Sequence, residues 1–171
     1  GVDYTSLQGD KAVVPIMEGM EANITVQGTD VVTGNATTKA TVIDAANCPD
    51  IIPVLTVLAA VSEGTTEIIN AGRLRIKECD RLAAITQELN KLGAEITELP
   101  EGLIIKGKPE GLRGGAECDA WNDHRIAMSL AIAAQKCAEP FTLTGASSVQ
   151  KSYPEFWQDY KLVGGKIEVL A

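Results

Sequence analysis

With 171 residues, 45% of them apolar, and only seven prolines, the chain can bury one sizeable core, which excludes an intrinsically disordered segment. A net charge of −8 and a pI near 4.7 exclude a general nucleic-acid or anionic-membrane surface, so any cluster of cations has to be local. No apolar run reaches the roughly 18 residues of a membrane helix, no secretion signal opens the chain, and the four cysteines include no C-x-x-C pair. The expectation is a cytoplasmic protein with reduced thiols and no zinc site, in which the N-x-T matches at Asn23 and Asn35 are chance. The Gly-Val start reads as a fragment of something longer.

Taken in chain order, Val13, Ile16, Met17 and Met20 recur at helical spacing, and "GMEANITV" follows with a turn and a short alternating strand. "CPDIIPVLTVLAAV" opens on Pro49, suited to a first helical position, with Asp50 beside it, and continues as a helix apolar nearly all round. "TTEIIN" reads as a strand. "RLRIKECDRL" opens the next helix and brings Lys77, Glu78 and Arg81 into its first turn; Leu82, Ile85, Leu89 and Leu92 form its buried stripe, and "KLGAEITEL" is the turn and strand that follow. "WNDHRIAMSLAIAA" begins a third, equally apolar helix, with Asn122 or Asp123 as N-cap and with His124, the only histidine, next to Arg125. "EPFTLTG" is a strand, "VQKSYPEF" opens a last helix just after Lys151 with Phe156, Trp157, Tyr160 and Leu162 on its apolar side, and "LVGGKIEVL" predicts a closing strand.

These pieces repeat. Asp50 to Lys77 and His124 to Lys151 both span 27 positions, with an apolar helix, a strand and a lysine in the same order. The unit reads β-α-β-α-β-β, with about two and a half copies in residues 1–171 and the first copy missing its leading strand and helix. The fold class is α/β (α+β) with helices inside and sheets outside, because the helices are too apolar to face water.

A helix start carries the positive end of the macrodipole and disfavours cations. Here, however, equivalent helix starts would present Asp50, Lys77, Glu78, Arg81, His124, Arg125 and Lys151 on one side of the repeat. Helix N-termini reinforced by Lys and Arg trap phosphate or carboxylate, and two carboxylates among them offer proton transfer. Taken singly, the same residues have plainer readings: Asp50 and Glu78 as first-turn acids, Arg81 as the i,i+3 partner of Glu78, His124 as a structural histidine. Cys79 lies between Lys77 and Arg81, a setting that lowers a thiol pKa, yet no base and orienting group accompany it, so it reads as a bystander. Neither G-x-x-x-x-G-K-[ST] nor G-x-G-x-x-G occurs.

"DAANCPDIIPVL", "RIKECDRLAAITQELNKLGAEI", "WNDHRIAMSLAIAA" and "KSYPEFW" resemble, in this order, the C-terminal half of the 5-enolpyruvylshikimate-3-phosphate synthase family. The resemblance implies two similar domains of three β-α-β-α-β-β units, of which this chain is most of one, its N-terminal partner domain being absent. It implies transfer of the enolpyruvyl group of phosphoenolpyruvate to the 5-hydroxyl of shikimate 3-phosphate, in chorismate and aromatic amino-acid biosynthesis, with no metal or organic cofactor. By motif, Asp50 matches the base at the 5-hydroxyl and Glu78 the acid/base at the methylene carbon. Lys77 matches a residue near the reacting hydroxyl; Arg81, Arg125 and Lys151 match cations that hold phosphoenolpyruvate, and His124 neighbours them. Cys79 and Arg73 depart from the commonest family residues at their positions. Since half the site belongs to the partner domain, the chain alone is expected to be inactive. Two other readings compete: a UDP-sugar enolpyruvyl transferase of the same fold, which lacks the N-D-H-R-I-A-M pattern, and a non-catalytic anion-binding module, which would not favour acids among its cations.

Overall fold

The computed structural model describes residues 7–170. Helix α1 (Val13–Gly19) leads into an antiparallel hairpin of β1 (Ile24–Gln27) and β2 (Asp30–Thr33). A complete unit follows: β3 (Val42–Asp44), α2 (Ile52–Ala60), β4 (Thr65–Ile69), α3 (Arg81–Lys91), β5 (Glu95–Leu99) and β6 (Gly102–Lys106). Its sheet has the order β3-β4-β6-β5, with β3 parallel to β4 and both other pairs antiparallel. Next, β7 (Glu117–Asp119), α4 (His124–Ala133) and β8 (Thr142–Thr144) repeat the parallel opening of that unit, and α5 (Phe156–Leu162) comes last. Both parallel pairs cross over through a helix, as parallel strands require. Gly102 lies where a Cβ would sit 2.1 Å from the Ile68 carbonyl oxygen, so only glycine lets the β5–β6 hairpin close onto β4 at this point.

The helices are inside and the sheets outside. Ile52, Leu55 and Val57 of α2, Leu82, Ile85 and Leu89 of α3, and Ile126 and Leu130 of α4 join one buried cluster. Each such side chain contributes about 1.5–3 kcal/mol by leaving water. The strands bury one face only: Thr66 and Ile68 point inward from β4 while Thr65 and Glu67 are exposed, and Leu103 and Ile105 point inward from β6. Among the described residues no helix is long and apolar enough to cross a membrane.

Three expectations are corrected. Helix α3 starts at Arg81, because the Asp80 side chain accepts the Ala83 N–H at 3.1 Å and caps the helix there. The preceding residues Gly72–Ile76 form a 3-10 turn, and Lys77 and Glu78 lie in the bent link before the helix. Lys151 likewise ends a 3-10 turn (Ala146–Lys151), five positions ahead of the start of α5. Second, no strand forms after α5 among the described residues: "KIEVL" alternates correctly but has no neighbouring strand to share its backbone hydrogen bonds. Third, α2 and α4 are not buried all round. Val54 and Ile132 are 37% and 42% exposed, and with Met128 and Ser129 they line a shallow hollow ending at Asp50 and Arg125.

Candidate functional site

Four separate stretches deliver the polar residues. Asp50 sits in the 3-10 turn Pro49–Ile51 that runs into α2, and Pro49 has no N–H to leave unsatisfied there. Lys77 and Glu78 occupy the link before α3, which Arg75 holds in place. The Arg75 guanidinium donates to Asp80 and Glu98 at 2.8 Å and to the carbonyls of Leu99 and Pro100 at 2.7 Å. Arg81 is the first residue of α3. His124 and Arg125 open α4 behind the N-cap Asp123, whose carboxylate accepts the Arg125 N–H at 2.8 Å. Lys151 arrives from the far turn.

The structure brings all seven sequence-predicted residues together in two adjacent ion-pair clusters, one around Asp50 and one around Glu78, which approach each other where Asp123 comes within 4.8 Å of Glu78 and His124. The Asp50 carboxylate meets three cations, at 2.8 Å from Arg81, 3.1 Å from Lys77 and 3.6 Å from Arg125. Arg125 also donates to the Asp50 carbonyl at 2.9 Å. Glu78 lies 3.2 Å from His124 Nδ1 and 3.4 Å from Lys151 Nζ, and Lys151 donates as well to the Asn122 carbonyl. The predicted i,i+3 pairing of Arg81 with Glu78 is replaced. The Arg81 Nε donates instead to Asp123 at 2.7 Å, in an ion pair that is almost wholly buried. Asp123 was legible only as a cap; that its charge also neutralises a buried arginine depends on packing between α3 and α4. Arg73 is exposed on the turn Gly72–Ile76, outside both clusters.

The electrostatics follow from this arrangement. Partial burial raises the Asp50 pKa, but the hydrogen bond from Lys77 and the charges of Arg125, Lys77 and Arg81 outweigh it, so the carboxyl stays below its usual range. Burial also works against ionised Asp123, and there the bonds from Arg81 and the Arg125 N–H win. For Cys79 the outcome is opposite to the one its lysine and arginine neighbours suggest. Burial, then the Asp123 carboxylate at 3.6 Å, push the thiol up to about 12 against the weaker pull of Arg81. These surroundings disfavour the thiolate that a nucleophilic Cys79 would need.

One ligand atom each from Glu78, Asp123 and His124 lies within 4.8 Å of the others. The set suits a metal poorly: both Asp123 oxygens already accept from Arg81, and Lys151 places a further positive charge beside Glu78. What the arrangement does suit is a small, multiply charged anion. Cations from two segments meet at Asp50 and a third brings Lys151 to Glu78, beside the start of α4, and the carboxylates that neutralise them can take or give a proton.

Known proteins resemble the chain over nearly its whole length. The 3-phosphoshikimate 1-carboxyvinyltransferase of Clostridium novyi (strain NT) is 56% identical over 167 residues, which are 98% of this chain and 38% of that protein. The protein of the same name from Clostridium kluyveri is 52% identical over 168 residues, covering 98% of this chain and 39% of that protein. The solved structure of an EPSP synthase from Acinetobacter baumannii matches with a TM-score of 0.86 at 30% identity, over 95% of this chain and 41% of that one. The chain thus spans about two fifths of the length of the relatives it matches. The model of one family, EPSP synthase (3-phosphoshikimate 1-carboxyvinyltransferase), matches residues 1–160, so the chain belongs to that family.

Proposed function

We propose that the chain is most of one domain of a cytoplasmic transferase that moves the enolpyruvyl group of phosphoenolpyruvate to the 5-hydroxyl of shikimate 3-phosphate and releases phosphate. An N-terminal partner domain supplies the remaining contacts. The observation that carries the reading is Asp50, one carboxylate held by three cations from two other segments of the chain. Such a knot is wasteful in a structural role, since Lys77 and Arg125 are partly exposed and water could satisfy them. It is apt where an anion must displace the carboxylate.

In this reading Arg81, Arg125 and Lys151 hold the phosphate and carboxylate of phosphoenolpyruvate, Lys77 stands by the reacting hydroxyl, and His124 orients Glu78. The cations offset the repulsion between two anionic substrates and fix the reacting atoms. As they turn towards the substrate, Asp50 loses their stabilisation and becomes a better base. It takes the proton of the 5-hydroxyl, whose oxygen attacks the substituted carbon of the enol phosphate while Glu78 protonates the methylene carbon. Elimination returns that proton to Glu78 as the carbon–phosphate oxygen bond breaks and phosphate leaves.

The test is phosphate release from the two substrates by the full-length protein carrying Asp50→Ala or Glu78→Ala. Loss of a general acid or base lowers turnover by about 10²–10⁴-fold. Near-normal turnover in either variant removes that residue from the mechanism.

A further inference from the structure

Glu88 is a carboxylate in the wrong place for a helix that only packs. It lies on the inward face of α3 beside Ile85 and Leu89, wholly buried. Both its oxygens are engaged. The Trp121 indole N–H donates to Oε1 at 2.8 Å, while Oε2 accepts from the Asp119 backbone N–H at 3.1 Å and from Lys91 Nζ at 2.7 Å. One side chain of α3 therefore grips two points of the turn that enters α4.

That turn is conformationally demanding. Trp121 and Asn122 both have φ of +52°, a region that a non-glycine residue, and a bulky tryptophan above all, occupies only when the surroundings impose it. Asp119 adds a second brace, since its carboxylate accepts the Trp121 N–H at 2.7 Å. Everything the turn delivers is in the site: the Asn122 carbonyl receives Lys151, Asp123 receives Arg81, His124 meets Glu78, and Arg125 meets Asp50.

We infer that Glu88 is a positioning residue: by clamping Trp121 and Asp119 it holds the left-handed pair in place and so sets where Lys151, His124 and Arg125 stand. It touches no substrate. A purely structural residue at this position would be better served by an apolar side chain, because a buried carboxylate has to be repaid by each of its partners. The assignment of a substrate to the positioned groups rests on the function proposed above; the positioning itself does not.

The experiment compares Glu88→Leu, Glu88→Gln and Trp121→Phe with Leu89→Ala in the full-length protein, Leu89→Ala being a cavity variant on the same helix. Glu88→Leu and Trp121→Phe are expected to lower kcat/KM for phosphoenolpyruvate by about tenfold to a hundredfold. Glu88→Gln, which keeps an acceptor for the indole, falls less than Glu88→Leu. Leu89→Ala loses thermal stability but stays within about twofold in kcat/KM. The His124 imidazole Cε1–H resonance, assigned with His124→Gln, reports the turn without any turnover: it moves in Glu88→Leu and Trp121→Phe and not in Leu89→Ala. An unmoved resonance, or a Leu89→Ala loss in kcat/KM equal to that of Glu88→Leu, overturns the positioning role. A moved resonance in a protein that never turns over the two substrates supports it and overturns the transferase reading alone.

Discussion

Arg81 shows how far a residue's surroundings redirect its chemistry. In sequence it is a helix-start cation with an acid three positions before it; in the fold it is buried between Asp50 and Asp123. Replacing it by leucine leaves the Asp123 charge buried without its main partner, so Arg81→Leu should destabilise the protein by about 3–5 kcal/mol in denaturant unfolding. A loss under about 1 kcal/mol would show that the pair is not maintained in solution. The pH dependence has a definite sign. The Asp123 pKa is lowered on folding, so the stability it contributes is complete above its unfolded value near 3.8 and is lost as pH falls through the lower folded value. Acid unfolding followed by circular dichroism should therefore steepen below about pH 4, and Asp123→Asn should flatten that limb. The thiols make a further test at this scale. Burial raises all four, Cys79 and Cys118 to about 12, so iodoacetamide at pH 8 should modify the native protein far more slowly than the unfolded chain. Rapid labelling of Cys79 would return it to the list of reactive groups.

At the scale of elements, periodicity was a good guide wherever one face of a helix or strand is buried. The stripe Leu82, Ile85, Leu89 and Leu92 is fully buried as its spacing predicts, and β4 alternates inward and outward as "TTEIIN" does. Periodicity says nothing about where a helix begins when a better cap lies further on. Asp80 captures the start of α3 and leaves Lys77 and Glu78 outside the helix, in a link whose course Arg75 decides. Glu88 is buried on the same face of α3, one position before Leu89, and the sequence reading did not single it out; a charge three positions after Ile85 on a buried stripe is the signal that could have found it. α4 connects the two halves of the core, packing on both α2 and α3, so Leu130→Ala should cost about 2–5 kcal/mol in unfolding free energy, the range for a buried leucine removed from a tight core. A value below that range would mean that the cavity refills by movement of its neighbours.

For the whole molecule, the contrast is between a net charge of −8 and a site where Lys77, Arg81, Arg125 and Lys151 converge. The cations are concentrated and the excess acid is spread elsewhere, which draws small anions to one patch without making the surface a polyanion binder. The patch is open, and the chain spans about two fifths of its relatives' length. Under the function proposed above, the purified 171-residue chain is expected to show no phosphate release from phosphoenolpyruvate and shikimate 3-phosphate; turnover by the chain alone would contradict the proposed division of the site between two domains.

The sequence by itself determined the buried helices, the half-buried strands β1, β4, β5 and β8, the repeat that relates them, and the residue types available for anion binding and proton transfer. These follow from spacing and composition, which are local. Tertiary structure alone decided which charges meet: that Arg81 pairs with Asp123 rather than Glu78, that Asp50 collects three cations, that the Cys79 thiolate is disfavoured, and that Glu88 reaches a turn more than thirty residues away. A charge interacts through space, with an energy set by distance and burial, and neither quantity exists until the helices have packed.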